Sequence, residues 1–150
     1  VYKLLATSPN VSCLYKHKEG HDLCREFMPH PGKLASQPVR TFTEDTAYFQ
    51  DPEEYDWEGI KKCWHHSWDM KKAIQLEKTP TNVVKAKLMA ENFQPSKFVL
   101  GIREPRAFLK SLEAFRVKPL EAAVHWARCA EAQIENMRAI APDRWIMLRY

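Results

Sequence analysis

Three short apolar runs in this chain are each followed within two residues by a cation. Ala73-Ile74-Gln75-Leu76 leads into Glu77-Lys78-Thr79, Phe98-Val99-Leu100-Gly101-Ile102 into Arg103-Glu104-Pro105, and Trp145 to Leu148 into Arg149-Tyr150. If the runs are strands of one parallel sheet, ligands bind beyond their carboxyl ends. Cations gathered at such a rim hold an anion, and phosphate is the common occupant. Arg103 is the most informative of them. The apolar run places it at a strand end, and Pro105 opens a helix whose free N–H groups and positive dipole end favour an anion. Ser111 lies two turns into that helix, where its hydroxyl serves a ligand lying along the helix rather than at its tip. The plainer reading has Arg103 paired with Glu104, Lys78 paired with Glu77, and Ser111 on the helix surface.

Two other clusters carry ligand-type side chains. Cys13, His17, His21 and Cys24 would share one face if helical, but the first and last would then stand about 16 Å apart. A single tetrahedral zinc, with bonds near ~2.0–2.3 Å, cannot join them in that geometry, so no zinc is expected there. A Cys13–Cys24 disulfide ranks above zinc, and buried thiols are the simplest reading of the four cysteines, above all for Cys129 within a helical pattern. Trp57, Ile60, Trp64 and Trp68, spaced by three and four residues, point to a short helix within Glu53 to Trp68, and His65-His66 beside Cys63 reads as part of that packing unit.

The elements that would position these groups begin in earnest at residue 73. A strand over 73–76 is followed by Thr79 as N-cap and Pro80 as the first residue of a helix reaching Glu91, with Val84, Leu88 and Glu91 on one stripe. The run over 98–102 reads as a strand with both sheet faces covered. A helix from Pro105 turns Phe108, Leu109, Leu112 and Phe115 inward, and a second, from Pro119 to about Ala139, carries Leu120, Val124, Ala127, Ile134 and Met137. Pro142-Asp143 turns the chain into a last strand, Trp145 to Leu148. This order is the grammar of a parallel sheet with right-handed crossovers, so the segments near 73–77, 98–102 and 145–149 are expected as parallel neighbours. Residues 10–60, rich in proline, glycine and acids, read as an irregular functional excursion. Val1, Leu4 and Leu5 share a short helical face stopped at Ser8-Pro9, and both ends read as cut from a longer protein.

Composition bounds the function. The chain has 150 residues, 45% of them hydrophobic and 28% charged, with a net charge of +4. These are values of a folded globular domain, which excludes disorder, collagen-like sequence and a simple coiled coil. The mild, scattered positive charge suits an anionic ligand and is too small for duplex nucleic acid. No run approaches the roughly 18 apolar residues of a membrane span.

Taken together, Leu76-Glu77-Lys78-Thr79-Pro80-Thr81-Asn82, then Lys97 to Arg103, then Glu104-Pro105 with Ser111 eight residues after the arginine, resemble the sulfotransferases that use 3′-phosphoadenosine 5′-phosphosulfate (PAPS), most closely the carbohydrate (heparan-type) members. The resemblance covers about residues 41–150, with a weaker match over Val1 to Val11. It implies a partial three-layer, P-loop-like α/β fold with a central parallel sheet, a single domain over 1–150 truncated at both ends, and PAPS as donor without a metal. Arg103 and Ser111 would bind the 3′-phosphate, and Lys78 would stand near donor and acceptor. Thr43-Glu44-Asp45-Thr46-Ala47-Tyr48-Phe49 resembles the family's Lys-Glu-x-His-Phe-Phe segment with one residue inserted and without the Lys and His. Glu44 or Asp45 would then be the base that takes the proton of the acceptor hydroxyl. The acceptor would be a saccharide hydroxyl, and the compartment the Golgi lumen, with the cytoplasm as alternative. The family's Lys/Arg-x-Gly-Thr-Thr loop for the 5′-phosphosulfate is not in these 150 residues and is expected just upstream of Val1. A second reading, from another class, is an inactive sulfotransferase-like binding subunit with exposed tryptophans of the 57–68 segment at a protein interface.

Overall fold

The computed structural model describes residues 2–14, 19–24, 26–28 and 51–150. It is a mixed α/β structure with short parallel strands in two small sheets. Its residues fall into two compact units, one combining the described residues before 31 with Asp51–Asn82, the other comprising residues 83–150.

In the first unit, α1 (Tyr2–Leu5) leads into β1 (Val11–Cys13), which pairs in parallel with β2 (Ile74–Leu76), Val11 opposite Ile74 and Cys13 opposite Leu76. Between them in sequence lie α2 (Gly20–Leu23), a 3₁₀ turn over Pro52–Glu54 and α3 (Trp57–Ser67). Asp56 caps α3 by accepting from the Gly59 N–H at 2.9 Å. Its apolar stripe is turned inward: Ile60 and Trp64 are buried, and Trp57 stacks on Tyr55 with ring centroids 4.7 Å apart. The Trp68 indole donates to the Leu76 carbonyl at 3.2 Å, and the Asp69 N–H donates to the Ser12 hydroxyl at 2.7 Å, so the end of α3 is tied to both strands. Cys24 and Cys63 form a disulfide across 39 residues of sequence.

In the second unit, β3 (Phe98–Ile102) pairs in parallel with β4 (Trp145–Arg149), Phe98 opposite Trp145 and Ile102 opposite Arg149. α4 (Asn82–Asn92) precedes β3, and α5 (Pro105–Glu113) and α6 (Pro119–Ala139) form the crossover between the two strands. Ala86, Ala90 and Ile140 form a buried cluster joined by Phe98 and Trp145. Arg144 closes it, its guanidinium donating to the Ala90 carbonyl at 3.0 Å and to the Ser96 hydroxyl at 2.6 Å.

Several expectations are corrected. The strand over 74–76 is not in the sheet of the other two; it pairs with Val11–Cys13, which lies inside the stretch expected to be irregular. A three-residue strand shows no alternation from which to recognise it. Pro80 and Thr81 form a turn, with the Asn82 N–H donating to the Thr79 carbonyl at 3.0 Å, so α4 starts later than its proline suggests. Its buried residues are Val84, Lys85, Ala86 and Ala90, and Glu91 is exposed. Val99 and Ile146 are 46% and 56% exposed, so one face of the β3/β4 pair is open among the described residues. On α6 the buried residues are Ala122, His125, Ala132 and Asn136, while Leu120 is 76% exposed and Val124 and Ile134 are also outward. Between α5 and α6, Phe108 stacks on His125 with centroids 6.0 Å apart. Phe115, beyond the end of α5, is exposed rather than inward.

Candidate functional site

Arg103 stands where β3 ends. The strands remain tied just past their last residues, with the Tyr150 N–H donating to the Ile102 carbonyl at 3.2 Å and the Glu104 N–H to the Tyr150 carbonyl at 2.9 Å. From α6 the Trp126 indole donates to the Arg103 carbonyl at 2.8 Å, which pins the backbone from which the guanidinium leaves. The side chain is half-buried and makes no ion pair or hydrogen bond with the other described residues. Arg149 stands at the same end of the sheet, in register with Ile102.

Glu104 does not pair with Arg103. It caps α5, its carboxylate accepting from the Ala107 N–H at 2.7 Å. The Ala107 and Arg106 N–H groups hold its carboxyl below the usual carboxylate range. The α5 N-terminus, expected to offer free N–H groups to a ligand, is therefore filled by the chain's own carboxylate. Ser111 lies about 9 Å along the helix axis from Pro105 and donates its hydroxyl proton to the Phe108 carbonyl at 2.7 Å. It can donate to an anion only by turning away from that carbonyl.

Lys78 belongs to the first unit. It pairs with Glu19, at 2.5 Å, rather than with Glu77. Glu77, just beyond the end of β2, is the acceptor at the centre of a different network. It accepts from the Gly20 N–H at 3.0 Å, from the Thr79 hydroxyl and from the Asn82 amide. Tyr2 and Cys13 stand close by: the Tyr2 phenol is pushed above its ordinary value by burial, by a hydrogen bond with the Cys13 thiol and by the charges of Cys13 and Glu77.

Cys24 is bonded to Cys63 rather than to Cys13, which is a free thiol, and this takes the Cys24 sulfur out of any ligand set with Cys13, His17 and His21. His17 lies outside the described residues, as does the His21 side chain. Among the described residues no group of three or more His, Cys, Asp or Glu could hold a metal ion. Cys129 is a free thiol whose value burial pushes up to about 12. His65 and His66 lie on the exposed side of α3, with the His65 ring 6.3 Å from that of Trp68. Trp64 is only 2% exposed, so it offers no surface to a partner. Glu44 and Asp45 lie outside the described residues.

Arg103 and Ser111 thus belong to one β3–α5 segment, whereas Lys78 belongs to the other unit. Sequence reasoning missed Glu19, Gly20 and Asn82. The only local signal was the Thr81-Asn82 step after the proline, because Glu19 and Gly20 reach Lys78 and Glu77 across more than half a hundred residues. Comparison with known proteins gives no match: no family model, no curated protein and no solved structure matches the chain. Among the described residues no helix is long and apolar enough to cross a membrane.

Proposed function

We propose that this chain carries part of the donor site of a PAPS-dependent sulfotransferase, with a hydroxyl, in the first instance a saccharide hydroxyl, as acceptor. The observation that carries the reading is Arg103: a half-buried guanidinium at the carboxyl end of a parallel strand, its backbone pinned by Trp126, with no partner among the described residues. Such a group gains a bidentate contact when an anion arrives, and a phosphate matches its fork. Arg103 holds the 3′-phosphate of the donor, and the Ser111 hydroxyl joins it by leaving the Phe108 carbonyl. Lys78 stabilises charge on the leaving phosphate, and Glu44 or Asp45 removes the acceptor proton as the sulfur–oxygen bond to the acceptor forms and the bond to the 5′-phosphate breaks. The three-layer P-loop-like fold and the Golgi lumen as compartment belong to the same proposal.

Titration calorimetry of adenosine 3′,5′-bisphosphate and adenosine 5′-phosphate tests it. Arg103→Ala should weaken the bisphosphate by about 10- to 100-fold, the worth of hydrogen bonds to a charged group, and leave the monophosphate within about twofold. Arg103→Lys should recover only part of the loss, because an ammonium is a point charge without the fork. Equal losses for the two nucleotides, or a wild-type chain that does not prefer the bisphosphate, would overturn the assignment.

A further inference from the structure

Gly20 is held on both sides of its own residue. Its N–H donates to the Glu77 carboxylate at 3.0 Å, and its carbonyl accepts from the Trp64 indole at 3.3 Å and from the Cys24 N–H at 3.2 Å. The fit leaves no room for a side chain: a Cβ here would meet the Trp64 ring at 2.6 Å and a Glu77 oxygen at 2.8 Å. The preceding residue is Glu19. It occupies the N-cap position of α2, yet its side chain makes no capping bond. It reaches instead to the Lys78 ammonium, at 2.5 Å. On the other side, Glu77 also takes the Thr79 hydroxyl and the Asn82 amide, so the same carboxylate that holds Gly20 shapes the turn that carries Lys78. Thr79 is buried.

We propose that Glu77 is a positioning residue for Lys78. Its carboxylate docks the Gly20 peptide against the Lys78-Thr79 turn, docking brings Glu19 alongside, and Glu19 fixes the place of the ammonium. Lys78 is thus held by two carboxylates with separate duties, Glu77 on the backbone and Glu19 on the side chain. The geometry stands on the first unit alone; only what Lys78 does once placed rests on the reading under Proposed function.

The test is nitrogen-resolved NMR of the lysine ammonium groups in the full chain, with amide hydrogen exchange at Gly20 beside it. In the wild type, the Lys78 ammonium, 47% exposed but bonded to Glu19, should exchange with solvent more slowly than that of Lys71, which is also exposed and has no carboxylate partner among the described residues. Glu19→Gln should speed exchange of that ammonium by about tenfold, the loss expected for one charge-assisted hydrogen bond, and leave the Gly20 amide unchanged. Glu77→Gln should speed both. A residue that merely stabilised the fold would move the melting temperature without this split between ammonium and amide. Were Glu77→Gln to misfold, Glu77→Asp, which keeps the charge but draws it back from the Gly20 N–H, takes its place: it should speed exchange at both Lys78 and Gly20, and unchanged exchange at both would overturn the proposal. An unprotected Lys78 ammonium in the wild type, or a Glu77→Gln chain that keeps both protections, would overturn the proposal. The calorimetric result for Arg103→Ala is independent of these signals, so failure of the donor-site reading and failure of the positioning role are read separately.

Discussion

The two units solve the problem of holding a charged group at a strand end in opposite ways. Beyond β2, Lys78 has a protein partner: Glu19 takes its ammonium, and Glu77 ties its turn to Gly20, distant in sequence. Beyond β3, the Arg103 carbonyl is pinned by Trp126, but its guanidinium is left without a partner among the described residues, and the neighbouring Glu104 and Ser111 spend their polar atoms within α5. One strand end is a closed network that fixes a cation. The other is a rigid backbone presenting a cation. A group without a protein partner is where an external anion gains most, which is why we propose the donor phosphate for Arg103 and a role fixed in place by Glu19 for Lys78.

The largest expected effect tests how much the first unit depends on its covalent tie. Cys24 and Cys63 are separated by 39 residues, and loop-closure entropy for a loop of that order gives about 4 kcal/mol of stabilisation. Replacing both with serine, or reducing the bond, should lower the stability of the first unit by about that amount, read as denaturant unfolding followed through the buried Trp64. Amides of β3 and β4 should lose protection much less. If hydrogen exchange shows both units losing protection equally, their separate description as compact units is wrong in energetic terms.

The next effect sharpens the comparison inside the second unit. Asn136 is buried on α6 and donates its amide to the Val83 carbonyl at 2.7 Å. Asn136→Ala should cost about 1–2 kcal/mol, the net worth of a buried hydrogen bond with a small packing loss. Leu120→Ser, on the outward stripe of the same helix, should stay within about 0.5 kcal/mol. Thermal unfolding of the two variants separates them, and a costlier Leu120→Ser would mean that the aliphatic stripe, not the small polar one, faces the packed side.

That inversion shows where the sequence was legible. β3 was readable with its bounds, because an apolar run ended by a charged residue and a proline leaves little choice, and β4 was readable to within one residue. α3 was readable from its tryptophan spacing. α6 was placed correctly along the chain, but its buried face is chosen by partners on other helices, His125 stacking on Phe108 of α5 and Asn136 donating to the Val83 carbonyl of α4, and not by the larger aliphatics. β1 and the Cys24–Cys63 pair were hidden because both are made by partners far away in sequence, to which local pattern is blind. At the site, Arg103 was legible as a strand-end cation, whereas the fate of Glu104 was not: an acid before Pro105 serves equally as an ion-pair partner or as a cap, and only the backbone conformation at the helix start decides.

Glu104 also carries the smallest and most discriminating effect. Its carboxyl lies below the ordinary value of 4.5 because the Ala107 and Arg106 N–H groups favour its charged form. A carboxyl depressed in the folded state adds stability that is fully present above the unfolded value and is lost as the pH falls through the folded one. Glu104→Gln should therefore weaken the unit slightly at pH 6–7, and the difference from the wild type should shrink as the pH falls below the ordinary carboxylate value and through the lower folded one. Hydrogen exchange at the Ala107 amide reads this directly: wild-type protection should fall on acidification below about pH 4.5, while the variant's protection should stay flat once intrinsic exchange is divided out. The same variant bears on the anion site. With the carboxylate gone, the α5 N-terminus opens to a ligand, so adenosine 3′,5′-bisphosphate should bind the variant at least as tightly as the wild type. Weaker binding by Glu104→Gln would mean that the cap orders Arg103 for the phosphate, and that filling the helix tip serves the site rather than competing with it.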